Sequence, residues 1–156
     1  MRLTVLAVGK LDRGEEYGLA ERYRKRAEQL GRTIGVRGVS VREVMAPAGR
    51  QQVSKEGELL LAECPSGALV VMDERGDGLK SKAFAELVQR WLDEGLPNVS
   101  FALGGADGHG ERIKGSADRI LSLGPLTLPH MLARVILLEQ IYRAITICAG
   151  HPYHRS

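Results

Sequence analysis

The sequence predicts an α/β fold, a parallel-type sheet flanked by helices, on three observations. Short apolar runs recur along the chain, and one of them, 68–72, is continuous, the mark of a strand covered on both faces. Segments with helical spacing separate these runs. The linkers between them are too short to divide the chain, and no internal repeat is present, so 1–156 reads as one domain. A chain of 156 residues is long enough to bury roughly two-thirds of its unfolded surface in a core.

The elements follow in order. Residues 2–8 read as a buried strand of Leu, Val and Ala ending at Gly9. A helix over 15–30 places Tyr17, Ala20, Tyr23, Ala27 and Leu30 at helical spacing. Arg22, Arg24, Lys25, Arg26 and Arg32 crowd its other faces, which the plainest reading makes a solvated surface, and Gly31 stops it. Residues 34–44 alternate well enough for a strand despite Gly35 and Gly38, and a turn over 47–50 leads to a helix over 51–62 that Gly57 interrupts. Cys64-Pro-Ser-Gly67 is a turn, 68–72 a strand that Asp73 ends at the carboxyl edge of the sheet, and 74–78 a loop. The helix over 81–94 is amphipathic, with Phe84, Leu87, Val88, Trp91 and Leu92 on one side, and Trp91 reads as core. A strand over 99–103 opens into Gly104-Gly-Ala-Asp-Gly108, followed by a short helix over 111–117 and a last strand over 119–123.

The final helix begins just past Pro129, whose missing N–H suits a first turn. Its apolar positions 131, 132, 135, 136, 138, 141, 142 and 145 cover more than one stripe, so it should pack on its own sheet and on something else, a subunit interface. Arg134, Glu139, Gln140 and Arg143 interrupt that run, with Glu139 and Arg143 four apart and able to pair.

Composition excludes several classes. With 44% apolar and 26% charged residues the chain has the balance of a folded globular protein, and no stretch approaches the ~18 apolar residues of a membrane span. The apolar N-terminal run is too short for a secretory signal and is broken by Lys10, so the expected location is cytoplasmic and the expected partners include no membrane. Cys64 and Cys148 stand far apart in apolar surroundings and read as buried thiols. The net charge of +3 is uneven: residues 1–66 hold 12 Lys/Arg against 9 Asp/Glu, 67–111 hold 4 against 8, and 112–156 hold 6 against 2. Basic ends converging on one face would make a nucleic-acid footprint, although such a charge balance also occurs in proteins that touch none.

Ligands of open α/β sheets collect at the carboxyl ends of strands, marked here by Met72-Asp73, Leu103-Gly104-Gly105 and Leu123-Gly124-Pro125. Glycines there let the backbone approach a ligand, and Leu103, Leu126 and Leu128 would wall a flat ring such as adenine; tight turns alone would use the same glycines. The three-glycine dinucleotide fingerprint, the phosphate loop and the Gly-x-Ser-x-Gly elbow are absent. His151 and His154 have the spacing of a metal pair without a third ligand, so no metal is expected.

Phe101-Ala-Leu-Gly-Gly-Ala-Asp-Gly108, Leu121-Ser-Leu-Gly-Pro-Leu-Thr-Leu-Pro-His130, Arg134, Leu138-Glu-Gln-Ile-Tyr-Arg-Ala144 and His151-Pro-Tyr-His-Arg155 together resemble the SPOUT-class methyltransferases that modify N3 of a pseudouridine in bacterial 23S ribosomal RNA. The resemblance spans the chain, with its specificity in 101–155. Two positions depart from it: Gly124-Pro125 replaces a Ser and a small residue, and Ala106-Asp107 replaces Pro-Glu, changes of loop stiffness more than of chemistry. The resemblance implies a C-terminal trefoil knot, an exception to the unknotted norm. It also implies a homodimer, S-adenosylmethionine as cofactor, and the helix 69 stem-loop on the large subunit or ribosome as substrate. Cofactor contacts would come from Met72, Leu103, Gly104, Gly105, Gly124, Pro125, Leu126, Thr127, Leu128 and Pro129. Arg143, oriented by Glu139, would stabilise charge on the base, with His154 accepting or donating a proton and Tyr153 stacking or hydrogen-bonding. His130 would only shape its loop. The alternative is a non-enzymatic RNA-binding or ribosome-associated α/β domain.

Overall fold

Alternation along the strands decides the architecture. In β1 (Arg2–Val8), Leu3, Val5 and Ala7 point to one face and Leu6 and Val8 to the other; in β4 (Asn98–Leu103), Val99, Phe101 and Leu103 oppose Ala102. Both faces are therefore apolar, and helices cover both. The computed structural model describes residues 1–154; Arg155, part of the C-terminal motif, lies outside the described residues. Among these residues five strands, the others being β2 (Gly38–Val44), β3 (Ala68–Gly78) and β5 (Arg119–Ser122), form one all-parallel sheet in the order β2-β1-β4-β3-β5. The α/β class and parallel sheet read from the sequence are what the structure has.

The larger core lies under α1 (Glu15–Gly31), α3 (Ser81–Asp93) and α5 (His130–Ala149), where Phe101 meets the rings of Phe84 and Trp91 edge-on, each at 6.0 Å. The smaller core is closed by Leu60 of α2 (Gln52–Glu63) and Ile113 of α4 (Glu111–Gly115). Three buried polar groups of the sheet form one chain: the Thr4 hydroxyl donates to Asn98 Oδ1 and the Asn98 amide to Ser100 Oγ, both at 2.8 Å.

Two sequence expectations need correction. β2 starts at Gly38 because a 3₁₀ turn over Arg32–Ile34 and Gly35, at φ 102°, use up the residues before it. β3 does not end at Asp73: Met72 and Asp77 both pair with Leu121, so 73–76 loop out and the strand resumes through Gly78. Charged residues and glycines read locally as a loop, whereas the pairing that continues the strand comes from β5. α5 begins at His130, just past Pro129 as the sequence indicates, with Pro129 as its cap in extended geometry, ψ 139°.

The all-round apolarity of α5 also has a source within the chain. Val135 and Leu138 are 5% and 1% exposed because the sheet, α1 and α3 bury them, so they are core positions and not a free face. Arg134, at 3% exposure, pairs with Glu43 and donates to the Gly9 carbonyl at 3.2 Å, tying α5 to the carboxyl ends of β1 and β2. Its place in the apolar run is structural. Cys64 and Cys148 are free thiols, half-buried and not fully buried. Among the described residues no helix is long and apolar enough to cross a membrane.

Candidate active site

A cleft of about 500 Å³ opens at the carboxyl ends of β3, β4 and β5. Met72 lines it from β3; Leu103, Gly104 and Gly105 from the end of β4; Gly124, Leu126, Thr127 and Leu128 from the loop after β5. Pro125 and Pro129, expected among the contacts, do not line it; they set the path of that loop, Pro129 as the cap of α5. The glycine loop is tight for a visible reason. A Cβ on Gly104 would lie 2.8 Å from the carbonyl carbon and oxygen of Gly108, and one on Gly105 3.1 Å from the buried Glu56 carboxylate. The turn closes through an antiparallel bridge between Gly105 and Gly108.

The charged rim of the cleft was not among the residues expected from sequence. Lys114 pairs with Asp73 at 3.1 Å, and His109 Nε2 donates to the Ala102 carbonyl at 3.0 Å, capping the end of β4. Burial pushes the His109 imidazole below its ordinary value, against the opposing pull of the Ala102 bond and of Asp73. At Asp73 burial pushes upward, but the Arg75 backbone N–H and Lys114 outweigh it, and the carboxyl ends up below its usual range. The only sequence signal was position: Asp73 at a strand end and His109 directly after the glycine loop. His130 also lines the cleft, beyond the loop-shaping role expected of it.

A second constellation sits farther along α5. Glu139 Oε1 accepts from Arg143, one turn on, and from the Tyr153 hydroxyl at 3.1 Å; Oε2 accepts from the Gln140 amide at 2.7 Å, which in turn accepts from Ser81 at 2.8 Å. The Arg143 guanidinium lies 5.0 Å from the centre of the Tyr153 ring, which packs 4.7 Å from Tyr142. The bond from Glu139 raises the Arg143 pKa, fixing its charge. Burial, then hydrogen bonding with Tyr23 and Glu139, raises the Tyr153 phenol far above its usual value, so it stays a donor. His154 Nδ1 is buried and has no partner among the described residues. Glu139 is thus an orienting group, Arg143 a fixed cation with donors left over beyond its bond to Glu139, and His154 Nδ1 a buried atom without a partner among the described residues. Glu139, Arg143 and Tyr153 thus come together as the sequence suggested, yet none of these residues, nor His154, lines the cleft of the same chain.

Residues 1–154 match the family model described as "Predicted SPOUT methyltransferase". The chain belongs to the SPOUT methyltransferase family. Among its relatives, a "Ribosomal RNA large subunit methyltransferase H" of Rhodopseudomonas palustris (strain ATCC BAA-98 / CGA009) is 49% identical over 160 residues, covering 100% of both chains. The protein of the same name from Methylobacterium nodulans is 48% identical over 160 residues, covering 100% of this chain and 99% of its own. A solved "probable methylase family protein" from Haemophilus influenzae Rd KW20 superposes with a TM-score of 0.50 at 11% identity over 99% of this chain and 70% of that one, a likeness of fold. As a SPOUT methyltransferase the chain requires a place for a methyl donor and a place for an acceptor, and it has two distinct constellations. Among the described residues no three His, Cys, Asp or Glu side chains cluster as metal ligands.

Proposed function

We propose that this chain uses S-adenosylmethionine to methylate N3 of a pseudouridine in the helix 69 stem-loop of 23S rRNA, on the large subunit or ribosome in the cytoplasm. The observation that carries the chemical part is the Glu139–Arg143–Tyr153 network beside an unpartnered His154. The rRNA substrate is supported by the names of full-length relatives at 49% and 48% identity.

The cleft suits the cofactor. Its volume is that of a small-molecule site, and Met72, Leu103, Leu126 and Leu128 give apolar walls for an adenine. Backbone groups at Gly104, Gly105 and Gly124 lie open to a ligand, and Asp73 and Glu74 supply negative charge for a cationic one. When bound, the cofactor supplies an electrophilic methyl group on a sulfonium. Arg143 neutralises the charge that develops on the base carbonyls as N3 loses its proton, Glu139 holds Arg143 in place, Tyr153 donates or stacks, and His154 takes the proton.

Homodimer formation belongs to the same proposal. Its support is the distance in chain terms between cleft and cluster: a second copy is the simplest way for Arg143 and His154 to face a cleft they do not line in their own chain. Leu126 and Leu132, 77% and 43% exposed beside the cleft and on α5, would be covered in it. The trefoil knot is likewise proposed, supported by α5 returning from the edge strand β5 to pack across the sheet on α1 and α3.

The test pairs calorimetry with transfer of a labelled methyl group from S-adenosylmethionine to large subunits lacking the modification, mapped by mass. Cofactor binding and label on one pseudouridine are expected. No binding at millimolar cofactor would leave only the RNA-binding alternative.

A further inference from the structure

The sequence left the cations of the first helix as a solvated face, but their placement gives them more to do. The core-facing side of α1 is Ala20, Ala27 and Gly31. Glu21 and Glu28 are engaged by Arg24, and Glu28 also by Arg32. That leaves Arg22, Lys25 and Arg26, three and four residues apart on the opposite side, exposed and with no acidic partner among the described residues. Gln29, exposed beside them, adds no negative charge and no apolar anchor. The acids of the helix that remain open, Glu15 and Glu16, sit in its first turn, away from this patch.

This face adjoins the chemistry. Tyr23, three residues before Arg26, packs its ring 6.2 Å from Tyr142, which in turn packs on Tyr153. A strand of phosphates held on Arg22, Lys25 and Arg26 would lie beside the Arg143–Tyr153 network, where an unstacked base must arrive. Long, flexible cations with no acidic partner are the groups that hold phosphate oxygens; of the apolar side chains near them on α1, Leu19 is 36% exposed and Tyr23 is turned to Tyr142.

We infer that Arg22, Lys25 and Arg26 form the RNA-backbone docking surface that delivers the target nucleotide to the Arg143–Tyr153 cluster, an inference resting on the rRNA reading above. It assigns these residues to substrate affinity and not to the transfer step.

The test is the triple variant Arg22→Gln, Lys25→Gln, Arg26→Gln beside a control with the same charge change elsewhere, Lys55→Gln, Lys82→Gln, Arg90→Gln, all exposed helix positions. Binding to a large-subunit rRNA fragment and to whole large subunits is measured from low to moderate salt. The α1 variant should lose about two units of the slope of log affinity against log salt, at about 0.7 per lost phosphate contact. Its KM for subunits should rise at least tenfold, while kcat, cofactor affinity and the control's binding stay near wild type. Equal slopes for variant and wild type, or an equal loss in the control, overturns the inference. So does binding to subunits with none to the RNA alone, which would make the partner a protein. If wild type binds RNA through α1 but transfers no methyl group, the proposed function fails while the docking surface stands.

Discussion

The cleft and the α5 cluster are built from opposite materials. In the cleft the contacts on offer are mostly main chain and aliphatic walls, and the glycine loop is fixed by what has no room to exist, a Cβ at Gly104, with Gly105 tight against the Glu56 side chain. In the cluster the arrangement is made of side chains, with Glu139 accepting from three donors and Arg143 stacked over Tyr153. A site made from backbone tolerates changes of side chain and fails when a side chain is added. A site made from a side-chain network fails when any member is taken away.

Arg143→Ala gives the largest effect this contrast predicts. Single-turnover methylation should fall about 10²–10³-fold, the usual cost of removing one donor aimed at developing charge, while cofactor affinity stays within about twofold because Arg143 does not line the cleft. A matching loss of cofactor binding would show that the two regions are not separate. Gly104→Ala is the mirror experiment. Its new Cβ meets the Gly108 backbone at 2.8 Å, which cannot yield as a flexible side chain would, so the loop must shift. Cofactor Kd should rise about tenfold, or ~1.4 kcal/mol, with the rate at saturating cofactor nearly kept. An unchanged Kd would mean that the loop does not hold the cofactor.

The same contrast explains what was legible in the sequence. Strand runs, helix faces and the Glu139–Arg143 pair at i, i+4 are local patterns, and all were readable. The continuation of β3 past Asp73 was not, since it depends on Leu121 forty-odd residues later. Nor was the intra-chain burial of Val135 and Leu138, because periodicity tells how much of a helix is covered and not by what. The Asp73–Lys114 pair and His109 escaped for a similar reason: their partners come together only when β3, β4 and α4 are assembled.

Tyr153→Phe probes the cluster more gently. It keeps the ring under Arg143 and removes only the hydroxyl bond to Glu139, 3.1 Å long. A loss of about 1 kcal/mol of positioning, or about fivefold in rate, is expected with an unchanged KM for cofactor. A loss as deep as that of Arg143→Ala would give the hydroxyl a direct part in the chemistry.

The smallest effect belongs to the cleft and appears only with pH. Burial holds the His109 imidazole below its ordinary value of about 6.5, with Asp73 on β3 and Lys114 on α4 as the charged groups acting on it. A depressed pKa means that the folded protein favours the neutral ring. In the window below about pH 6.5 the unfolded chain binds a proton that the folded one refuses, so this contribution to stability is complete above that pH and is lost as pH falls toward the folded value. Glutamine at 109 can still donate to the Ala102 carbonyl but does not titrate. His109→Gln should therefore flatten the decline of the thermal midpoint between about pH 7.5 and 5.5, above the range where most carboxylates protonate. If the two proteins decline in parallel, His109 is not protonating in that window, and the cap it places on β4 is insensitive to pH.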